Sequence, residues 1–244
     1  MLDPLFQIFP EPQVIAVVAP ITIICIFLFL YCSGTLKLTY KIKTNYTRKL
    51  FHILVFTLAG IIGFFFNFQA VMLYGGITAL IVIYVLYLSS GNLLFEGIGR
   101  EQDEPHRAFY IGVPFITTAI AGLLNNYLFL EFALVGYLVA GWGDAIGEPV
   151  GVRFGKHRYK VPSLRNVPCE RSLEGSLAIL VMSAVGTGVA LILIADVSWA
   201  LLIMAAIISG FATSLVEAVS PHGIDNFPTQ VAATGVCFGV VSVF

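Results

Sequence analysis

Charge is what this chain has least of. Only 11% of its 244 residues are Asp, Glu, Lys or Arg, against 58% hydrophobic, where soluble domains carry roughly 25% charged residues. A soluble protein of that make-up would expose aggregation-prone apolar surface, so that class is excluded. Cysteine is sparse as well. Cys25, Cys32 and Cys237 lie in or beside apolar segments and Cys169 in a charged stretch, with no Cys-x-x-Cys spacing, which speaks against a disulfide framework or a thiolate metal site. The opening MLDPLFQIFPEPQ lacks a basic n-region and a clear small-residue cleavage site. The first apolar segment is therefore expected to be a retained helix rather than a signal peptide. The net charge of −1 says little about partners by itself, and no nucleic-acid partner is expected.

What the chain does have is long apolar runs, near Val14–Tyr31, Leu50–Phe66, Ala70–Leu88, Phe109–Leu124, Leu128–Ala140, Leu177–Ala195, Trp199–Val216 and Thr229–Phe244. Most are long enough to cross a hydrocarbon core of ~30 Å. The expected fold is an all-α polytopic membrane protein of about eight transmembrane helices, one integral membrane domain over 1–244. Eight crossings put all 13 Lys and Arg residues on one side and leave only Asp3, Glu11, Glu131 and Asp196 on the other. By the positive-inside rule the basic side is cytoplasmic. The loops 34–49, 89–108, 141–176 and 217–228 then converge on that face, where water-soluble nucleotides are available.

Ten of the 27 charged residues fall in one stretch, GWGDAIGEPVGVRFGKHRYKVPSLRNVPCERSLEGS, residues 141–176. Gly143, Gly147, Gly151 and Gly155 recur every four residues, the pattern that lets membrane helices approach closely, within one chain or between two in a homodimer. Asp144 and Glu148 are also four apart and share a helix face. Two such acids repel unless a cation lies between them: a divalent metal such as Mg²⁺, or a base such as Arg153 or Lys156. Pro149 follows and is expected to kink the helix. Lys156, Arg158 and their neighbours suit phosphate, or equally anionic lipid headgroups. Arg171 to Ser176 open the next apolar run; Ser172 and Gly175 offer a phosphate cradle at a helix start, or Ser172 is an N-cap with Glu174 in the first turn. Arg48, Lys49 and His52 share the entry of the second run, as a substrate contact or a snorkelling basic belt. Glu217, ionisable near membrane depth, is a site candidate by default. Asp225 and Asn226, after Pro221-His222-Gly223, are a turn or part of the site.

These pieces in this order resemble the polyprenol kinase family: dolichol, phytol and farnesol kinases and CTP-dependent diacylglycerol kinases, and more distantly phosphatidate cytidylyltransferases. The resemblance rests on Arg48-Lys49-x-x-His52, Gly143-Asp144-Ala145 with Gly151 and Phe154-Gly155-Lys156-His157, Arg171 to Ser176, and Glu217 with Gly223-Ile224-Asp225-Asn226. It implies transfer of the terminal phosphate of CTP, or another nucleoside triphosphate, to the hydroxyl of a long-chain isoprenoid alcohol or diacylglycerol. The implied catalytic residues are Asp144, Lys156, Arg171, Glu174 and Asp225. Gly155, Lys156, Arg158, Arg171, Ser172 and Gly175 would bind nucleotide. Mg²⁺ or Mn²⁺ would sit on Asp144 with Glu148, Glu174 or Asp225, and Arg48, Lys49, His52, Glu217 and Asn226 would line the lipid-headgroup side. Arg171 stands where family members usually carry Lys, and Glu148 and the insert Val161–Cys169 are not general family features. The chain is similar to the shorter, phytol-type members. The rival readings are a cytidylyltransferase acting on a phospholipid and an ion-coupled transporter, the latter disfavoured because the ionisable groups gather at one surface.

Overall fold

The computed structural model describes residues 10–165 and 167–244; the expected outer-side acid Asp3 lies outside them. The chain runs through α1 (Pro12–Leu38), α2 (Thr44–Phe65), α3 (Phe68–Leu88), a one-turn α4 (Leu93–Glu96), α5 (Arg107–Phe129), α6 (Ala133–Leu138), a π-helical turn (Val139–Gly143), α7 (Asp144–Phe154), strands β1 (Arg158–Val161) and β2 (Cys169–Ser172), then α8 (Leu173–Ile194), α9 (Trp199–Val219) and α10 (Asn226–Val243). Every apolar run becomes helix. Large apolar side chains such as Ile24, Leu80, Tyr127, Leu177 and Phe211 point outward. A bundle so dressed is solvated by lipid, as in an integral membrane protein.

Among the described residues, six helical stretches are long and apolar enough to cross a bilayer: α1, α2, α3, the run Arg107–Phe154, α8 and α9. That differs from the expected eight for two local reasons. Arg107–Phe154 counts once, although it holds two apolar segments and the chain reverses at Leu130, where φ is +50°. Across that reversal Asn126 Nδ2 donates to the Tyr137 hydroxyl at 2.6 Å. Meanwhile α10 opens on Asn226, Thr229 and Gln230 and falls outside the count.

The fold is nearly all-α rather than wholly so. Within the stretch 141–176 expected as loop, the segments on either side of the insert Val161–Cys169 pair as an antiparallel hairpin, with Tyr159 opposite Arg171 and Val161 opposite Cys169. The hairpin delivers Ser172 to the start of α8, where its hydroxyl accepts from the Gly175 N–H at 3.1 Å. Ser172 is thus the N-cap, which satisfies a donor that every helix start leaves free.

The glycine stripe packs within the chain. A Cβ on Gly147 would lie 2.5 Å from Ile179 Cγ1, and one on Gly143 would collide with Ser183 Oγ, both on α8. Gly175 returns the fit: its Cβ would stand 2.8 Å from the Gly147 carbonyl. With lipid outside as apolar as the side chains within, such close backbone contact is what holds membrane helices together. The helix runs on through Pro149, and the irregularity lies ahead of it in the π turn, a feature frequent at functional sites.

The polar loops meet at one end of the bundle. Lys37 Nζ pairs with Glu96 at 2.7 Å, Thr44 donates to Glu101 at 2.9 Å, and Arg100 Nη1 pairs with Glu148 at 2.9 Å. The His222 N–H donates to the Pro162 carbonyl at 2.8 Å. Gly223, at φ +103°, lets the turn before α10 fold under Tyr110; its Cβ would stand 3.1 Å from that ring.

Candidate active site

Where the loops meet lies a polar cavity of about 400 Å³. Its wall on one side is α7, which presents Asp144 and Glu148 one turn apart. The base between them is Lys49 of α2, 2.7 Å from Asp144 Oδ2 and 3.7 Å from Glu148 Oε2. Arg153 and Lys156, the bases nearest in sequence, do not do this: both are exposed, and Arg153 stacks on Phe154. His52 Nε2 faces the Ala140 carbonyl at 2.9 Å and Asp144 Oδ2 at 3.3 Å. Both are acceptors, so the proton sits on Nε2 and the ring tethers the π turn to the carboxylate. Glu148 also accepts from Asn45 Nδ2 at 2.6 Å.

The opposite wall is held by Arg171. Its Nε meets Glu217 Oε1 at 2.6 Å, its Nη1 donates to the Glu217 and Ser220 carbonyls, and its Nη2 meets Asp225 Oδ2 at 2.8 Å. A guanidinium fork can reach four acceptors at once, which an ammonium cannot. Arg171 thereby clamps β2 to the end of α9, where the helix carbonyls carry partial negative charge, and to Asp225 at the start of α10. Burial alone would lower its pKa, but the Glu217 and Asp225 carboxylates outweigh that and raise it. Glu217 Oε2 is buried in this wall without a hydrogen-bond partner among the described residues.

The rim is the loop between α3 and α5. Arg100 donates to Asp103 and to Glu148 and lies against His222 Nε2, and His222 stacks on Tyr110 at 4.7 Å between centroids. Burial would raise the Asp103 carboxyl, but hydrogen bonds from His222 and Arg100 hold it well below the usual carboxylate range. Burial likewise opposes Glu96, yet hydrogen bonds from Arg107 and Lys37 hold it at about 2. Burial pushes the Cys169 thiol up, which leaves it a protonated wall residue.

A second, largely apolar cavity of about 370 Å³ lies between α2, α3 and α5. The two cavities share Arg48 and Asn226. Asn226 Nδ2 donates to Thr118 at 3.0 Å. Arg48 pairs with no carboxylate within 4.0 Å among the described residues, whereas Lys49, Arg100 and Arg171 are all paired.

Of the residues expected at the site, Arg48, Lys49, Asp144, Glu148, Arg158, Arg171, Ser172, Gly175, Glu217, Asp225 and Asn226 line the polar cavity. His52 lines the apolar one. Gly155, Lys156 and Glu174 border neither; Glu174 turns outward to His157 Nδ1 at 2.8 Å. Asn45, Arg100, Asp103 and His222 line the cavity without having been expected there. The sequence signal for Arg100 and Asp103 is the interleaved charge of Arg100, Glu101, Asp103 and Glu104 in a short loop, and Asn45 and His222 fall in loops expected at the same face.

No three His, Cys, Asp or Glu side chains among the described residues form a cage for a metal by themselves. The donor set nevertheless fits Mg²⁺ or Mn²⁺: hard carboxylate oxygens of Asp144 and Glu148, and the unpartnered Glu217 oxygen in the same cavity. Mg²⁺ is usually held by one or two carboxylates, with substrate phosphates and water completing its shell.

The fold and the site define an integral membrane protein with a charged cavity at one end of its helix bundle and an apolar cavity beside it. No protein-family model matches the chain, and no solved structure does either. Over 141 residues it is 33% identical to a protein named phytol kinase from Synechocystis sp., a match covering 57% of this chain and 54% of that protein. The chain is thus matched over about half the length of that relative. The similarity supports a family relationship with the polyprenol and phytol kinases.

Proposed function

We propose that this protein is a membrane lipid-alcohol kinase: it transfers the terminal phosphoryl group of a nucleoside triphosphate, CTP by preference, to the hydroxyl of an isoprenoid alcohol. The observation that carries this reading is the junction of the two cavities. An aqueous triphosphate and a membrane-dissolved alcohol must react where water and hydrocarbon meet. The polar and apolar cavities meet at Arg48 and Asn226, and Arg48 pairs with no carboxylate within 4.0 Å among the described residues. The phytol kinase relative supports the same reading. The basic end is then cytoplasmic, with Arg107–Phe154 crossing twice and α10 crossing once to complete eight spans.

In the reaction the acceptor oxygen forms a bond to the γ-phosphorus, and the bond from that phosphorus to the β–γ bridging oxygen breaks. The nucleoside diphosphate leaves with the electron pair. Transfer of this kind depends mainly on positioning and on neutralising charge. Asp144 and Glu148, with Glu217 near, would hold Mg²⁺ or Mn²⁺, which supplies charge neutralisation on the β- and γ-phosphates. Lys49 sits between those two acids and keeps them from repelling each other apart. Arg48 faces the transferring phosphoryl group. Arg171 fixes Asp225, which accepts the hydroxyl proton, and Asn226 orients the hydroxyl. Lys156 and Glu174 have no role in this arrangement.

The test is direct. Purified protein in nanodiscs is given γ-³²P-labelled CTP, ATP or UTP with a C20 prenyl alcohol, and label is counted in the lipid phase. Label in the alcohol, absent from the Asp144→Asn variant, is the expected result. Equal transfer by that variant would remove the carboxylates from the mechanism.

A further inference from the structure

We propose that the apolar cavity between α2, α3 and α5 is the binding slot for one hydrocarbon chain of the acceptor, with its polar mouth at Arg48 and Asn226 and its depth set by the α3 face around Gly75. Only the identity of the headgroup rests on the kinase reading; the chain site stands on the cavity itself.

The lining residues give the slot a direction. Arg48 and His52 lie in the first turns of α2 and Tyr110 in the first turn of α5, all at the charged end of the bundle. Along α5 the lining runs from Tyr110 to Asn126, about 24 Å at 1.5 Å per residue. That is deeper than one leaflet of a ~30 Å hydrocarbon core. The slot therefore follows the direction of a lipid chain whose hydroxyl rests at the headgroup level.

The glycines of α3 carry the argument further. Small residues in membrane helices ordinarily let a neighbouring backbone come close, as Gly143 and Gly147 do against α8. Gly75 and Gly76 do not. A Cβ at either would meet nothing within 4 Å among the described residues. Both line the slot, Gly75 half-buried and Gly76 exposed at its lipid-facing edge, so the space they leave is space for something other than protein. A chain entering from the bilayer exchanges one apolar surrounding for another and gains little from burial as such. Fit along the wall and placement of the hydroxyl are then what the slot provides, and both favour a single chain in one groove.

Binding without nucleotide tests this independently of catalysis. The probe is a C20 alcohol carrying a mid-chain diazirine, photolysed with the full-length protein in nanodiscs, and the labelled peptides are identified by mass spectrometry. Label is expected on α3 and α5 slot residues, suppressed by excess unlabelled alcohol. Gly75→Phe and Ala79→Leu fill the slot from α3, where Gly75 has room for a side chain. Each is expected to cut slot labelling by C20 alcohol at least about tenfold while sparing a C10 probe, since a misfit of even one methylene shifts selectivity that far. Ile116→Trp, on the outward face of α5, should change nothing. Label scattered over outward faces, or unchanged by both slot variants, overturns the slot. Label in the slot with no phosphate transfer to any alcohol overturns the kinase reading and leaves the slot standing.

Discussion

Two pairs of glycines in this bundle do opposite work. At the end of the π turn and on α7, Gly143 and Gly147 are pressed against α8 so closely that no Cβ fits, and the wall they build holds Asp144 and Glu148 in place. On α3, Gly75 and Gly76 face open space beside the apolar cavity. One region is locked so that charges stay where chemistry needs them. The other is left loose so that something apolar can enter. A glycine in a membrane helix therefore has no fixed meaning; its neighbour supplies one.

Breaking the locked region should have the largest effect. Asp144→Asn leaves the Lys49 ammonium buried beside a neutral amide and removes the candidate metal ligand. Phosphate transfer is expected to fall by about 10²–10³-fold or more, the scale of losing one preorganised electrostatic contact. Fluorescence-detected size exclusion should still report a folded protein. Gly147→Leu drives a side chain into Ile179, and overpacking of this kind costs about 1–3 kcal/mol, occasionally more. Its melting temperature in detergent should fall clearly. Gly75→Leu sharpens the contrast: it meets open space and removes a poor helix former, worth about 1 kcal/mol in a helix interior. Its melting temperature should hold or rise. If the two glycine variants melt alike, the distinction between the regions is lost.

Arg48→Gln probes the junction between them. Nucleotide binding should be nearly unchanged, while turnover falls about tenfold to hundredfold through mispositioning of the transferring group. The smallest effect is expected at the shared rim, whose loop gives Ile98 to the slot and Arg100 to the polar cavity. Glu96 ties that loop to Lys37 and Arg107, with its carboxyl held at about 2. In the unfolded chain a Glu titrates near ~4.3. Because the folded value is the lower one, its stabilisation is fully present above about 4.3 and fades as pH falls toward about 2. Thermal melts across that window should show a steeper acid decline for wild type than for Glu96→Gln.

Much of the scaffold was legible in the sequence, because apolar runs, glycine spacing and an N-cap Ser are local signals. Ser172 caps α8, and the Gly143–Gly155 stripe packs as close-approach glycines do. The partners of the acids were not legible. Asp144 is met by Lys49 and Glu148 by Arg100, 95 and 48 residues away in the chain, whereas sequence proximity pointed to Arg153 and Lys156. The hairpin escaped because two four-residue strands in a charged stretch carry too little alternation to stand out. The slot escaped for another reason: α3 is apolar on every side, so lipid-facing and cavity-facing positions read alike.

The most direct measurement supplies CTP labelled with ³²P at the α-position in one reaction and at the γ-position in another, each with the same prenyl alcohol and wild-type protein. Transfer of the terminal phosphoryl group predicts γ-label in the lipid and α-label left in CDP. Alpha-label in the lipid, with γ-label in pyrophosphate, would contradict it and make the protein a cytidylyltransferase.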